Sequence, residues 1–274
     1  MKEIYEKNRK RNIGGFTLIE LLVVISIIAL LMSVLMPALS RVRDNAKSVV
    51  CQSNLKQWSI SFDMFANDNH GKFMKGWNGM TLTQVDDQWF NALKPYYEDV
   101  ALRLCPRASK PTSAVYSSSE TDVATWPASE FEAWGAFPDP PGWAVNAGDY
   151  GSYGINAWVC NPDKGTEIYS AMEQARWRTN VVRNAYEVPL LFDSLWMEAW
   201  PEDTDPAPRY PADAWLQDWA GMGRLCISRH SDGINMLFLD YHIDKSPLRD
   251  LWRYKWHRQY VLNRPPVFPS WMTE

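Results

Sequence analysis

Residues 14–37 read GGFTLIELLVVISIIALLMSVLMP, and their order governs the reading of everything after them. From Phe16 to Leu39 the only charged side chain is Glu20. About twenty consecutive apolar residues are enough for a helix to span a bilayer, so residues 16–39 are predicted to be a transmembrane helix. The small residues Gly14 and Gly15 stand before the apolar run. A secretory signal has the reverse order, with its cleavage site behind a shorter apolar core. A cut after Gly15 would remove residues 1–15 and keep the membrane segment. In that leader Lys2, Lys7, Arg9, Lys10 and Arg11 outweigh Glu3 and Glu6. A basic end beside an apolar run stays cytoplasmic, which predicts a single pass with the remainder of the chain extracytoplasmic.

Glu20 is the exception inside the span. An ionisable group in lipid is costly and usually has a partner. Cleavage after Gly15 would create one: the new α-amino group of Phe16 lies one helical turn from Glu20, and on a staggered neighbouring subunit it meets Glu20 in trans. The plainer reading is a carboxylate solvated near the headgroups.

The quoted stretch resembles the N-terminal motif of type IV prepilins and type II secretion pseudopilins. The resemblance implies a membrane peptidase that cuts between Gly15 and Phe16 and methylates Phe16. It makes Glu20 the family's assembly glutamate and Pro37 the proline that kinks or loosens the helix. It implies as partners the prepilin peptidase/methyltransferase, other pilin-like subunits or copies of this chain, and inner-membrane lipid. It places the protein in the bacterial inner membrane, from which it would be drawn into a fibre. The implied function is a structural subunit of a type IV pilus or type II secretion pseudopilus.

After the membrane segment, apolar residues recur at Leu39, Val42, Ala46 and Val49, then at Leu55, Trp58, Phe62 and Phe65. Steps of three and four mark one face of a helix. Residues 40–70 therefore read as an amphipathic extension that needs a folded domain to lie against. Asn69-His70-Gly71 is its stop. Residues 71–274 form that domain. Strands are expected at Tyr153–Val159, Val188–Asp193 and Ile234–Leu239, with a short one at His242-Ile243. Ser246-Pro247 should cap a helix whose packing face is Leu248, Leu251, Trp252, Lys255 and Trp256. The stretches 106–148 and 198–213 read as long inserted loops. The predicted class is α+β and pilin-like: a long N-terminal helix packed on an antiparallel sheet.

The segment RHSDGINMLFLDYHIDKSPL resembles the H-x9-DG domain of large pilin-like proteins, with His230 and Asp240 at its two ends and Tyr241 where that pattern has glycine. CQSNLKQ at 51–57, YGINAW at 153–158 and PLLFDS at 189–194 are similar to other segments of that family.

Several constellations have two readings each. His230, Asp232, Asp240 and His242 could be a metal or acid–base cluster, or a hydrogen-bonded turn braced by His230 with Asp232 closing an Asx-type turn. Related pseudopilins bind calcium through loop carboxylates, which makes Glu202-Asp203-Thr204-Asp205 a calcium candidate; otherwise it is a solvated acidic loop and no cofactor is expected. Of the 15 tryptophans, Trp126, Trp134, Trp143, Trp196, Trp200, Trp215 and Trp219 could display a glycan- or ligand-binding surface, or supply core. Cys51, Cys105, Cys160 and Cys226 could form disulfides in any of three complete pairings, or remain buried thiols. A net charge of -4 argues against nucleic acid as a partner. No nucleophile elbow, phosphate loop, dinucleotide fingerprint or HExxH occurs, so the chain is not read as an enzyme.

Overall fold

The computed structural model describes residues 16–76, 85–111, 115–117, 123–125, 127, 129–135, 148–163, 170–210, 221–262 and 264–272. In chain order the helices and strands are α1 (Leu18–Asp68), α2 (Trp89–Ala92), β1 (Lys110–Pro111), β2 (Val115–Ser117), β3 (Val123–Thr125), β4 (Glu132–Gly135), β5 (Tyr150–Gly151), β6 (Tyr153–Asn156), α3 (Ser170–Ala175), β7 (Pro189–Asp193), β8 (Glu198–Ala199), β9 (Gly233–Phe238) and β10 (Ile243–Pro247). The chain divides into two compact units, Met1–Arg43 and Asp44–Glu274.

In the first unit, every described residue is exposed. Thr17 and Glu20 build the helix start between them. The Glu20 carboxylate accepts from the Thr17 backbone N–H at 2.9 Å, and the Thr17 hydroxyl oxygen accepts from the Glu20 N–H at 3.3 Å. This is a reciprocal capping box, which satisfies amides that a helix start would leave orphaned. Ser26 and Ser33 donate their hydroxyls to the carbonyls of Val23 and Leu30, so neither presents a free donor. Pro37 lies inside the helix; with no N–H it leaves one rung of the ladder unmade.

The second unit is built on a five-stranded sheet in the order β10-β9-β7-β6-β8, antiparallel except for the β6–β8 pair. Strand β9 sorts the core by its alternating side chains. Leu237, with Leu239 just beyond the strand, joins the cluster that holds Leu55, Trp58 and Phe62 of α1. Ile234, Met236 and Phe238 join Leu251, Trp252 and Trp256 from the C-terminal segment. The sheet is thus covered on both faces, and that explains why 234–239 is almost wholly apolar. Strands β1 and β4 and the β2–β3 pair lie within the stretch 106–148 expected to be irregular loop, and β5, just beyond it, completes the three-stranded sheet β1-β4-β5.

Tryptophans fasten the irregular parts. The indole N–H of Trp58 donates to Leu102 O at 3.0 Å, Trp89 to Met197 O at 2.7 Å, Trp134 to Tyr153 O at 3.0 Å, and Trp252 to Asp205 O at 3.0 Å. Each ring supplies core while its N–H pairs a backbone carbonyl far away in sequence.

Several expectations need correction. Burial along α1 begins only at Cys51; Leu39, Val42, Ala46 and Val49 are exposed, so the folded domain does not cover that part of the stripe. Strand β6 ends at Asn156 and passes into a 3-10 turn, Ala157–Val159. Ser246 is the penultimate residue of β10 and caps nothing; its hydroxyl donates to Pro247 O, and a 3-10 turn rather than an α-helix follows at Leu248–Arg253.

The hairpin between β9 and β10 turns through Tyr241, whose φ is +69°. Its N–H donates to Phe238 O at 2.9 Å, and the Phe238 N–H donates to His242 O at 3.0 Å. This geometry, a turn followed by a left-handed residue, favours glycine. Tyr241 tolerates it because its half-buried ring packs against the α1 side of the core. Truncating the ring without relieving the backbone should be the worst of the simple changes. Tyr241→Ala is expected to be less stable than Tyr241→Gly by about 1 kcal/mol, measured by urea unfolding of the detergent-solubilised chain; equal stabilities would contradict the strain.

Candidate functional site

Two places in the chain concentrate unusual chemistry. The first is the N-terminal stretch around Phe16 and Glu20. Phe16 is exposed, and Glu20 is the acidic residue of the first helical turn, held by Thr17 as described. Gly15 lies outside the described residues. The helix carries an apolar stretch, none of it buried, which is long and apolar enough to cross a membrane.

Residues 10–36 match the family model described as the prokaryotic N-terminal methylation motif. The chain carries a prepilin-type N-terminus. Together with the long apolar helix, the match supports a type IV pilin-like protein, a substrate of prepilin peptidase anchored in a membrane, and it points to a structural subunit rather than an enzyme. No curated protein matches the chain, and no solved structure does.

The second place is a buried polar knot in the globular unit. Cys51 stands on α1, Cys105 follows the 3-10 turn Val100–Arg103, Asp193 ends β7, and His230 precedes β9. All four are buried, and one donor atom from each lies within 4.8 Å of every other. The Cys51 thiol faces both oxygens of Asp193 at 3.7 Å and accepts from the Tyr153 hydroxyl at 3.2 Å. His230 Nε2 is 3.2 Å from Cys105 Sγ and 3.2 Å from Asp193 Oδ2. Its Nδ1 is buried without a hydrogen-bond partner, so the ring's polar contacts all lie at Nε2.

Local structure explains the convergence. Asn54 Nδ2 and the Trp58 indole, one turn apart on α1, donate to the carbonyls of Leu104 and Leu102, which hold the Cys105 segment against the helix. Gln52 Nε2 donates to Asn235 Oδ1 at 3.2 Å, and Asn235 Nδ2 donates to Ser48 Oγ at 3.2 Å, docking α1 on β9. Asn235 also donates its backbone N–H to Asp193 Oδ2 at 2.9 Å.

Arg229 supplies the positive charge. It is fully buried, and its Nη1 is 3.2 Å from Asp193 Oδ1. Nη1 also donates to Ser152 O at 2.6 Å, while Nε donates to Glu130 O at 2.7 Å and Nη2 to Ser194 O at 3.3 Å. Burial pushes the Asp193 carboxyl up, but His230 and Arg229 outweigh it and hold it below the usual carboxylate range. Burial likewise opposes charge on His230, yet its bonds to Asp193 and Cys105 raise it to about 9. Burial raises the Cys105 thiol, while Cys51, His230 and Arg229 bring it down to about 7. Burial pushes the Cys51 thiol well up.

The four residues grouped from sequence do not come together. His230 belongs to the knot. Asp240 and His242 form an exposed pair at the hairpin tip, with the His242 ring stacked on Phe238 at 4.2 Å. Asp232 turns back to Ser228: its N–H donates to the Ser228 hydroxyl, and its Oδ1 accepts from that hydroxyl. It closes no Asx-type turn over the residues that follow it, and the bracing of that turn by His230 comes from its backbone N–H, which donates to Gly233 O at 2.9 Å.

The acidic loop is likewise occupied. Asp205 Oδ2 accepts from the N–H groups of Glu202 and Met222, Glu202 is 3.0 Å from His257 Nε2, and Asp203 is 3.1 Å from Arg264 Nη1. Trp134, Trp196 and Trp200 are buried, and Trp126, Trp143, Trp215 and Trp219 lie outside the described residues. All four cysteines are buried free thiols.

Sequence reasoning missed Cys105 and Asp193 as partners of His230, and Arg229 as the counter-charge of Asp193. The available signal was a carboxylate closing the apolar run PLLFD and an arginine next to the histidine. Removing Arg229 strands a buried carboxylate and several carbonyls. Arg229→Met is expected to cost about 3–5 kcal/mol, read from the urea midpoint by tryptophan fluorescence, and adding Asp193→Asn should recover part of the loss. A cost below about 1 kcal/mol, the level of an exposed pair, would contradict a buried ion pair here.

Proposed function

We propose that this chain is a pilin-like structural subunit, cut after Gly15, methylated on Phe16, and assembled with like subunits into a type IV pilus or a type II secretion pseudopilus. The observation that carries the reading is the uncovered apolar helix directly behind a prepilin-type motif. In this reading residues 16–39 hold the single-pass subunit in the inner membrane before assembly, with the globular unit outside the cytoplasm.

Assembly then gives the apolar surface a partner. Neighbouring copies bundle their N-terminal helices, and the exposed Leu39, Val42 and Val49 extend the contact beyond the membrane span. Glu20 supplies register. Before assembly its carboxylate is used locally, on Thr17. In the fibre it pairs with the Phe16 amine of a neighbour, in surroundings where an unpaired charge costs roughly a few kcal/mol. The spacing of His230 and Asp240, similar to the H-x9-DG pattern except for Tyr241 in place of its glycine, is a further feature that supports a large pilin-like subunit. A glycan-binding output has no support from Trp134, Trp196 and Trp200, whose rings are core.

The capping role and the pairing role of Glu20 separate in one substitution. Glutamine keeps the capping box but carries no charge. Glu20→Gln should be processed normally and remain in the membrane, while fibres sheared from native cells, or cross-linked subunit ladders, fall at least about tenfold, the equivalent of 1.4 kcal/mol. Fibres in normal amount would refute the pairing role.

A further inference from the structure

The buried knot has the composition and spacing of a closed metal centre. Its donors are two thiols, one imidazole nitrogen and one carboxylate. A tetrahedral zinc ion with bonds of about 2.0–2.3 Å separates its ligand atoms by about 3.3–3.8 Å. Here Cys51 Sγ to Asp193 is 3.7 Å, Cys105 Sγ to His230 Nε2 is 3.2 Å, and His230 Nε2 to Asp193 Oδ2 is 3.2 Å. Three of the six donor separations are thus close to the edges of such a tetrahedron, and all four donor atoms lie within 4.8 Å of one another. Their four parent residues come from four separate parts of the chain, and all are sealed from solvent.

Charge and second contacts agree with this. Two thiolates and a carboxylate, offset by Arg229, leave two negative charges for a divalent cation to neutralise. A carboxylate has about four acceptor positions, so Asp193 can keep its contacts with Arg229 and the Asn235 N–H while ligating. Tyr153 donates to Cys51, which orients that thiolate. Sulfur and nitrogen donors in a tetrahedral set select zinc over the hard cations magnesium and calcium.

We propose that Cys51, Cys105, Asp193 and His230 bind one zinc-class divalent cation as a structural site. All four positions are filled by protein, which leaves no open coordination site for substrate. Binding displaces the two thiol protons and the proton on His230 Nε2, all of which leave to solvent, and takes the lone pair this frees on Nε2. The ion ties α1 to the Cys105 segment, to the end of β7 and to the loop that enters β9. The proposal does not depend on the pilin-like reading.

The test uses the full chain purified in detergent, stripped with a chelator under reducing conditions, then titrated with Zn2+ and, separately, Co2+. About one ion per chain should bind. Co2+ should give thiolate-to-metal charge-transfer absorption and tetrahedral visible bands. Zn2+ should protect Cys51 and Cys105 from alkylation and raise the thermal midpoint. Cys160→Ser and Cys226→Ser should bind as the unaltered chain does, and Cys105→Ser and His230→Ala should lose the ion. Because those last two variants can also unfold, the decisive reading is on the unaltered chain. Failure to take up Zn2+ or Co2+, or Co2+ spectra without thiolate bands, overturns the proposal. A Cys51–Cys105 disulfide in the chain as purified from its native membrane, with no bound metal, overturns it as well.

Discussion

A helix that is apolar on every side has no stable place in water. The described residues of the first unit, 16–43, are all exposed, and Glu20 is the only charged side chain from Phe16 to Ser40. Hydrophobic burial contributes roughly 25 cal/mol per Å2, so so long an uncovered run implies lipid, other helices, or both in turn. The same residues meet both needs. In the proposed function a bilayer would cover them while the subunit is stored, and neighbouring copies would cover them in a fibre. Glu20 has one partner in the isolated subunit, Thr17, and in the proposed function proteolysis would supply a second, the amine of Phe16.

From Cys51 onward the helix follows different rules. It buries Leu55, Trp58 and Phe62 against the sheet, and it contributes Ser48, Cys51, Gln52 and Asn54 to polar contacts with segments far away in sequence. Asp193 is the centre of those contacts. A fully buried carboxylate is costly unless its neighbours satisfy it, and here an arginine, an imidazole, a backbone N–H and a thiol do so. That knot specifies which loop lies against which strand in a domain with few long periodic elements. Trp58, Trp89, Trp134 and Trp252 serve the same end, each joining its ring to the core and its N–H to a distant carbonyl.

The parts legible in the sequence were those with a local physical cause. The α+β class, the long helix and its stop, the central apolar strands and the turn at Ser231–Gly233 all follow from hydrophobic periodicity and turn chemistry. The capping box at Thr17 and Glu20 was also present as a T-x-x-E spacing, overshadowed by the oddity of a charge in lipid. The buried knot was not legible, because its members lie on four segments whose proximity only the tertiary fold creates. His230 was noticed beside Asp232, Asp240 and His242, its neighbours in sequence, whereas its neighbours in space are Cys105 and Asp193. Tyr241 shows the complementary failure: a left-handed φ disfavours tyrosine locally, and burial of its ring against the core overrides that preference.

The account stands on proteolysis creating the positive partner of Glu20. The intact mass of the chain extracted from its native membrane, with a fragment ladder through its N-terminus, tests this most directly. The account predicts a polypeptide that begins at Phe16 and carries one methyl group on that residue's amine. A mature polypeptide that still begins at Met1 would contradict it.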